Sequence, residues 1–290
     1  MKKLNNTYLL LFAACTILSG ISCTGQQRGG SSPKGYDLIN PVKYAMPESL
    51  REISGIAFNG GKSDILYAEQ DEEGRVYYFR LGDKQVSYSK FDKKGDYEDV
   101  AILGQQMIVL KSNGELFVFP FSQVGNPNIA NVQKQNDLFP AGEYEGLYAD
   151  EKNNQLYVLC KHCGNEKASK QGGGYILKLS ANGVLVPAGQ FTFDVKEIET
   201  LLNKKKVQFH PSALAKNQRT NEWFILSSVN KLLVIADDSW KVKAVYPINS
   251  SLFLQPEGIA FDKQYNLYIS NEGDKITPGT VLKFNYKKQE

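Results

Sequence analysis

Short apolar runs, many of them β-branched and aromatic, alternate along this chain with polar turns rich in Gly, Asn and Asp. That pattern reads as strands joined by turns. Similar words recur: "ISGIAF" (53–58), "YEDVAI" (97–102), "YEGLYA" (144–149), "PSALAK" (211–216) and "PEGIAF" (256–261). Aligned, they put Ser54, Glu98, Glu145, Ser212 and Glu257 in one register, at intervals of 44, 47, 67 and 45 residues. Two residues earlier a second register holds Glu52, Asp96, Glu143, His210 and Gln255.

Each word precedes a second strand: "ILYAEQ" (65–70), "MIVLKS" (107–112), "QLYVLCK" (155–161), "EWFILSS" (222–228) and "NLYISNE" (266–272). Third strands follow in "RVYYFRL", "ELFVFPF", "GYILKLS", "KLLVIAD" and "TVLKFNY". Fourth strands are expected over 85–91, 185–193 and 242–248, with that of the second unit inside 126–136. A unit of 40–50 residues with four strands is a propeller blade. The sequence thus predicts an all-β, five-bladed propeller with four-stranded blades over 36–290. The last unit has only three strands of its own, so "DLINPVKYAMP" (37–47) is expected to supply its fourth and close the ring, which removes two open sheet edges. The long interval carries an insertion. "CGNEKASKQGGG" (163–174) reads as a flexible loop, and Val195, Ile198, Leu201 and Leu202 share one face of a short helix within 194–206.

The N-terminus has a different character. Lys2 and Lys3 precede the apolar stretch 8–20, too short for a comfortable membrane span and fitting an export signal over 1–22. The stretch resembles a lipoprotein signal with Cys23 as the lipidated residue, although Gly20 stands where such signals usually carry leucine. A plain secretory signal is the alternative. Residues 23–35, "CTGQQRGGSSPKG", have linker composition. The expectation is a protein of the cell envelope, facing the periplasm and attached to the membrane through a lipid anchor only. Residues 1–22 hold two lysines and no acid, so their removal takes the formal charge from +3 to +1. No basic stripe interleaved with aromatics remains, which argues against nucleic acid.

Beyond Cys15 and Cys23, the cysteines are Cys160 and Cys163, in "CKHC". Haem attachment would need His at 164, which is Gly164. A structural zinc site needs a second pair of ligands, and the only other histidine is His210. In an oxidising compartment a local disulfide is expected; a redox-active pair is the alternative.

If each word opens the innermost strand of its blade, both registers ring one mouth of the central channel, since residues i and i+2 point the same way. Glu98, Glu145 and Glu257, with Glu52, Asp96 and Glu143 nearby, then gather negative charge. Repulsion of roughly 4 kcal/mol per close pair at an effective dielectric near 20 needs relief. A hard cation with oxygen ligands supplies it, and calcium accepts ligands from separate blades. Glu98, Glu145, Glu257 and Glu52 are the candidate ligands, with Asp99 a possible addition. Two other readings stand: structural caps that accept backbone N–H groups of neighbouring blades, and a catalytic carboxylate. Gly55, Gly146, Ala213 and Gly258, next along the strand, read as tight packing near the axis.

The words "REISGIAF", "DILYAEQDEEGRVYYF", "DYEDVAI", "YEGLYAD" and "QPEGIAFD…NLYISNEGD" resemble the SdiA-regulated (YjiK-like) family of bacterial propellers, themselves similar to NHL-repeat proteins, over roughly 45–286. The resemblance implies a five-bladed propeller, membrane attachment and a bound calcium ion, with no established activity. It carries over to Glu98, Glu145 and Glu257; Ser54 and Ser212 replace the acid in two blades. Two functions follow as expectations. One is a tethered, calcium-binding module for a small-molecule or protein ligand. The other is a calcium-dependent hydrolase of the lactonase or phytase kind, with His210 or His162 as base and Lys111 or Lys161 near the mouth.

Overall fold

The computed structural model describes residues 32–163 and 170–288. The expected signal peptide (1–22), Cys23 and the linker as far as residue 31 lie outside the described residues.

Strand β1 (Val42–Ala45) comes first. Blade one is β2 (Ile53–Ala57), β3 (Leu66–Gln70), β4 (Glu73–Phe79) and β5 (Ser87–Lys94). Blade two is β6 (Tyr97–Leu103), β7 (Gln106–Lys111), β8 (Leu116–Pro120) and the short β9 (Gln133–Gln135). Blade three is β10 (Gly142–Asp150), β11 (Gln155–Cys163), β12 (Gln171–Leu179) and β13 (Leu185–Asp194). Helix α1 (Val195–Leu202) separates it from blade four: β14 (Ala213–Asn217), β15 (Glu222–Ser227), β16 (Leu232–Ala236) and β17 (Val242–Pro247). Blade five is β18 (Gln255–Phe261), β19 (Leu267–Glu272) and β20 (Thr280–Phe284), completed by β1. Every sheet is antiparallel and four-stranded, so the protein is a five-bladed propeller.

The closure is the expected one. Strand β1 pairs with β20 from Val42 opposite Lys283 to Ala45 opposite Thr280. The chain is already packed before residue 36, where the linker composition suggested a free segment. Gly35, at φ +89°, lies against the Tyr286 ring, where an added Cβ would stand 2.4 Å from a ring carbon, and its carbonyl accepts from Lys287 N. Tyr36 then enters the space between blades four and five.

Five apolar clusters fill the five spaces between neighbouring blades. Second and third strands face another blade on both sides, which is why "MIVLK" and "LLVIA" read as continuous apolar runs rather than alternating ones. Helix α1 is capped by Asp194, whose side chain accepts from Lys196 N, and ends at Asn203 in the left-handed conformation. Val195 and Ile198 are buried in the cluster between blades three and four, with Leu202 packed against it, but Leu201 faces solvent at 49% exposure. The expected apolar face is therefore narrower: positions 195, 198 and 202 share a stripe, and 201 falls off its edge.

The glycine run also departs from expectation. Gly172, Gly173 and Gly174 belong to β12 rather than to a loop. An added Cβ at Gly172 would stand 2.2 Å from the Phe193 ring, and one at Gly174 would stand 1.9 Å from Val158 O. The run is bare because β11 and β13 and two rings of the core close on it from both sides.

Near the axis, neighbouring blades are latched by short polar contacts. Ser54 Oγ donates to Glu98 O at 2.9 Å, Ser212 Oγ to Pro256 O at 2.8 Å, and Ser270 Oγ to Ser54 O at 2.5 Å. Between blades two and three the latch is Asp99, whose carboxylate accepts from Leu147 N at 2.6 Å and Val100 N at 2.7 Å. Asp99 thus caps the junction between the two blades. Its breach of the small-residue rule follows from packing: Gly55 lies against it, with an added Cβ 2.2 Å from Asp99 Oδ1. Replacing Asp99 with Ala should orphan two buried N–H groups, at about 1–3 kcal/mol each. Denaturant unfolding should show that loss, with Asp99→Asn milder because it keeps an acceptor. An unchanged midpoint in Asp99→Ala would remove the latch from this account.

Candidate metal and ligand site

The innermost strands β2, β6, β10, β14 and β18 contact one another in a closed cycle. In four of them the ladder to the second strand slips by one residue at the same place: between Ile53 and Ile56, Tyr97 and Asp99, Tyr144 and Gly146, and Pro256 and Gly258. The unpaired residue in the last three is Glu98, Glu145 or Glu257. A bulge kinks the strand and re-aims the extra side chain, and such bulges favour functional sites. The repeated carboxylates are therefore bulge residues at one mouth of the channel.

Glu145 is only 6% exposed, and Lys161 Nζ donates to its Oε1 at 2.8 Å. Lys161 is itself a bulge residue, because β11 slips between the partners of Glu143 and Tyr144. The protein therefore brings its own cation to this part of the ring. Burial raises the Glu145 carboxyl, and Lys161 works against that rise. Glu98 has no such partner. Burial first, then Glu145 and Asp96, push its carboxyl up to about 10. One oxygen each from Glu98, Asp96 and Asp71 lie within 4.8 Å of one another. Asp71, at the end of β3, is pushed up to about 7 by burial and then by Asp96. Among the described residues none of these three acids is in an ion pair.

Glu257 sits across the mouth, pushed up to about 7 by burial and then by Glu145, with Ser228, Lys161 and Lys231 opposing. Glu272, at the end of β19, is pushed up to about 8 by burial and then by Glu257 and Asp71. Glu52 is half-buried on the same rim, and its charge contributes to the rises at Asp71 and Glu272. One more acid lies deeper: Glu69 is fully buried, accepts from Gly55 N at 2.6 Å through Oε1, and leaves Oε2 without a partner.

The four candidate ligands thus share one mouth unevenly. Glu98 lies against Asp71 and Asp96 and also hydrogen-bonds Glu145, which Lys161 holds from the other side; Glu257 lies among Ser228 and the lysines; Glu52 stays at the rim. Asp71 and Glu272 were not among the sequence candidates, and a signal for them existed. In "LYAEQD" and "LYISNE" they hold the same place, and the matching residues of the other blades are Ser112, Lys161 and Ser228. All five positions come to this mouth: Ser112 donates to Asp96, and Ser228 bonds Glu257. Lys111 is one residue out of that register, opposite Tyr97 where Lys161's neighbour Cys160 is opposite Tyr144, and its ammonium lies against Glu115 and the Tyr97 ring.

The basic side lies over blades three and four. His162 Nδ1 is 2.7 Å from Glu143 Oε2, and its ring is 4.7 Å from that of His210. Burial lowers His210, and its buried Nδ1 has no partner. Lys161 and His162 stand in the span closed by the Cys160–Cys163 disulfide, whose Cα atoms are 5.9 Å apart. Peptide mass mapping should find both cysteines protected from alkylation until reductant is added. Stoichiometric zinc that survives dialysis and is lost in Cys160→Ser would contradict this.

A cavity of about 670 Å³ lies at the opposite end of the innermost strands, walled by residues such as Ile56, Ala101, Ala149 and Ala260. Its acids are turn formers: Asp150 accepts from Asn153, and Asp262 from Gln264, Asn266 and Tyr268. The charged mouth is the better candidate because its acids have no such work.

The chain matches the SdiA-regulated family over residues 40–275. It belongs to that family. A search of the curated proteins finds no match. Among solved structures, the glutaminyl cyclase of Myxococcus xanthus superposes with a TM-score of 0.54 at 14% identity, covering 87% of this chain and 97% of that one. A luciferin-regenerating enzyme superposes with a TM-score of 0.51 at 11% identity, covering 85% and 95%. At such identities the likeness of this SdiA-regulated protein to either is one of fold alone.

Proposed function

We propose that this member of the SdiA-regulated family is a calcium-binding recognition module tethered to the cell envelope. The observation that carries the reading is the trio Asp71, Asp96 and Glu98: three carboxylates from two blades, close together, two of them, Asp71 and Glu98, held back from ionising first by burial, and none in an ion pair among the described residues. All-oxygen donors suit a hard ion, and carboxylates from separate strands suit the loose geometry of calcium. Glu145 and Glu52 stand next in line as outer ligands. When bound, calcium would neutralise the mouth and offer open coordination positions to a ligand. The chain's own part is to aim Glu98 and Glu145 through bulges and to hold Glu145 with Lys161.

The tether rests on the apolar stretch 8–20 followed by Cys23 and linker composition. Among the described residues no helix is long and apolar enough to cross a membrane.

A hydrolase is the second reading, and the His162–Glu143 pair is what favours it, since a carboxylate can orient a histidine base. Both side chains are about half exposed, at 51% and 57%, which gives them no dry site in which to work. Binding is therefore the primary reading. Calorimetric titration with calcium tests it. One site, lost in Glu98→Gln and weakened in Asp71→Asn, supports it; heat that is absent or identical in all three proteins overturns it.

A further inference from the structure

The basic side of the mouth contains a pocket of about 400 Å³, lined among others by Lys161, His210, Ser228, Lys231, Val229 and Leu254. That volume is in the range of small-molecule sites. Its polar groups converge from three blades. Lys161 comes from β11, Ser228 and Lys231 from the turn between β15 and β16, His210 from the segment before β14, and Gln255 and Glu257 from β18. Each ammonium has three donors. Lys161 spends one on Glu145, and Lys231 spends one on Leu254 O. The remainder point to unfilled capacity, and His210 Nδ1 is buried without a partner. The wall is not wholly polar, since Val229 and Leu254 contribute apolar surface.

We propose that this pocket binds a small organic carboxylate, its oxygens between Lys231, Lys161 and His210 and its short apolar body against Val229 and Leu254. A monoanion fits better than a phosphate dianion because Glu257 also lines the pocket and Glu145 stands beside it. The apolar wall favours an organic body over a bare inorganic ion. The inference adds a ligand class to the binding-module reading and rests on it for the choice of mouth, but the lysine–histidine contacts do not require calcium.

The test is titration of the whole protein with butyrate and hexanoate, with butanol and inorganic phosphate alongside, once with calcium and once with chelator. Both carboxylates should bind and butanol should not. Lys231→Met keeps the apolar stem and removes the ammonium, and should weaken carboxylate binding about tenfold or more, as expected for a hydrogen bond to a charged group. His210→Phe should weaken it by a smaller factor while leaving the melting temperature unchanged. Binding of phosphate as tight as that of the carboxylates overturns the ligand class. Equal affinities in wild type and Lys231→Met overturn the site. Carboxylate binding that persists in chelator, beside a calcium titration with no heat, would sustain this pocket while removing the calcium reading. Calcium heat without any carboxylate binding would do the reverse.

Discussion

Removing residues 32–47 is expected to abolish the cooperative melting of the whole propeller, not of one blade. The deletion takes away β1 and leaves β20 with an unpaired edge where Val42 to Ala45 had bonded it. It also removes Tyr36, Leu38 and Met46, which are at most 7% exposed. Tyr36 is the most consequential of these. Its hydroxyl donates to Tyr265 O at 2.7 Å and accepts from Asn217 at 2.8 Å, and its ring packs on Phe224, Phe261 and Tyr286. One side chain thus ties the N-terminal strap to blades four and five. Tyr36→Ala alone should cost about 3–5 kcal/mol, the range for buried aromatic truncation. A ring of blades is only as closed as its weakest junction, so the loss should appear in the global transition. Circular dichroism melting of the deletion and of Tyr36→Ala is the measurement. A deletion protein that melts with wild-type temperature and steepness would show that the strap is dispensable.

That closure was legible in the sequence because the repeat made a gap visible: four strands were expected of the fifth unit and three were present after residue 255. Blade two's outermost strand was harder, since "QKQ" has no apolar pattern, and only the spacing pointed to 126–136. The bulges were not legible. Nothing in "YEDVAI" or "YEGLYA" distinguishes a bulge residue from a paired one, yet the bulge decides that Glu98 and Glu145 turn to the mouth. Equally hidden was the neutralisation of Glu145. Lys161 lies 16 residues away in sequence, and a second bulge beside the Cys160–Cys163 span brings it to 2.8 Å. The ring expected from the alignment is therefore lopsided, with acids over blades one, two and five and cations over three and four. Asp71 and Glu272 stand at the end of the second strand of their blades, outside the recurring first-strand words, and only the match between "LYAEQD" and "LYISNE" marks them in the sequence.

Calcium should raise the melting temperature, and the gain should grow with pH. At a hundredfold excess over its dissociation constant a ligand of the folded state adds about 2.7 kcal/mol, or about 5–10 °C for a domain of this size. The pH dependence follows from the direction of the carboxyl shifts. Asp71 and Glu257 are raised to about 7, Glu272 to about 8 and Glu98 to about 10, each above its unfolded value. An acid whose folded pKa is raised contributes stability that is full below the unfolded value and is lost as pH rises through the folded one. In chelator the protein should therefore weaken steadily from the ordinary carboxylate range up to about 10. Calcium binds the ionised carboxylates, so it offsets that loss, and the calcium-minus-chelator difference should be small in mild acid and largest in alkali. Glu98→Gln separates the two effects. It removes the most strongly raised group, so in chelator at alkaline pH it should melt above wild type, while its gain from calcium should nearly vanish. Glu145→Gln should lose only part of the gain, since Lys161 already compensates that carboxylate. A calcium gain of zero at every pH, with Glu98→Gln indistinguishable from wild type, would leave the mouth as a structural rim whose acids stay protonated in the folded protein.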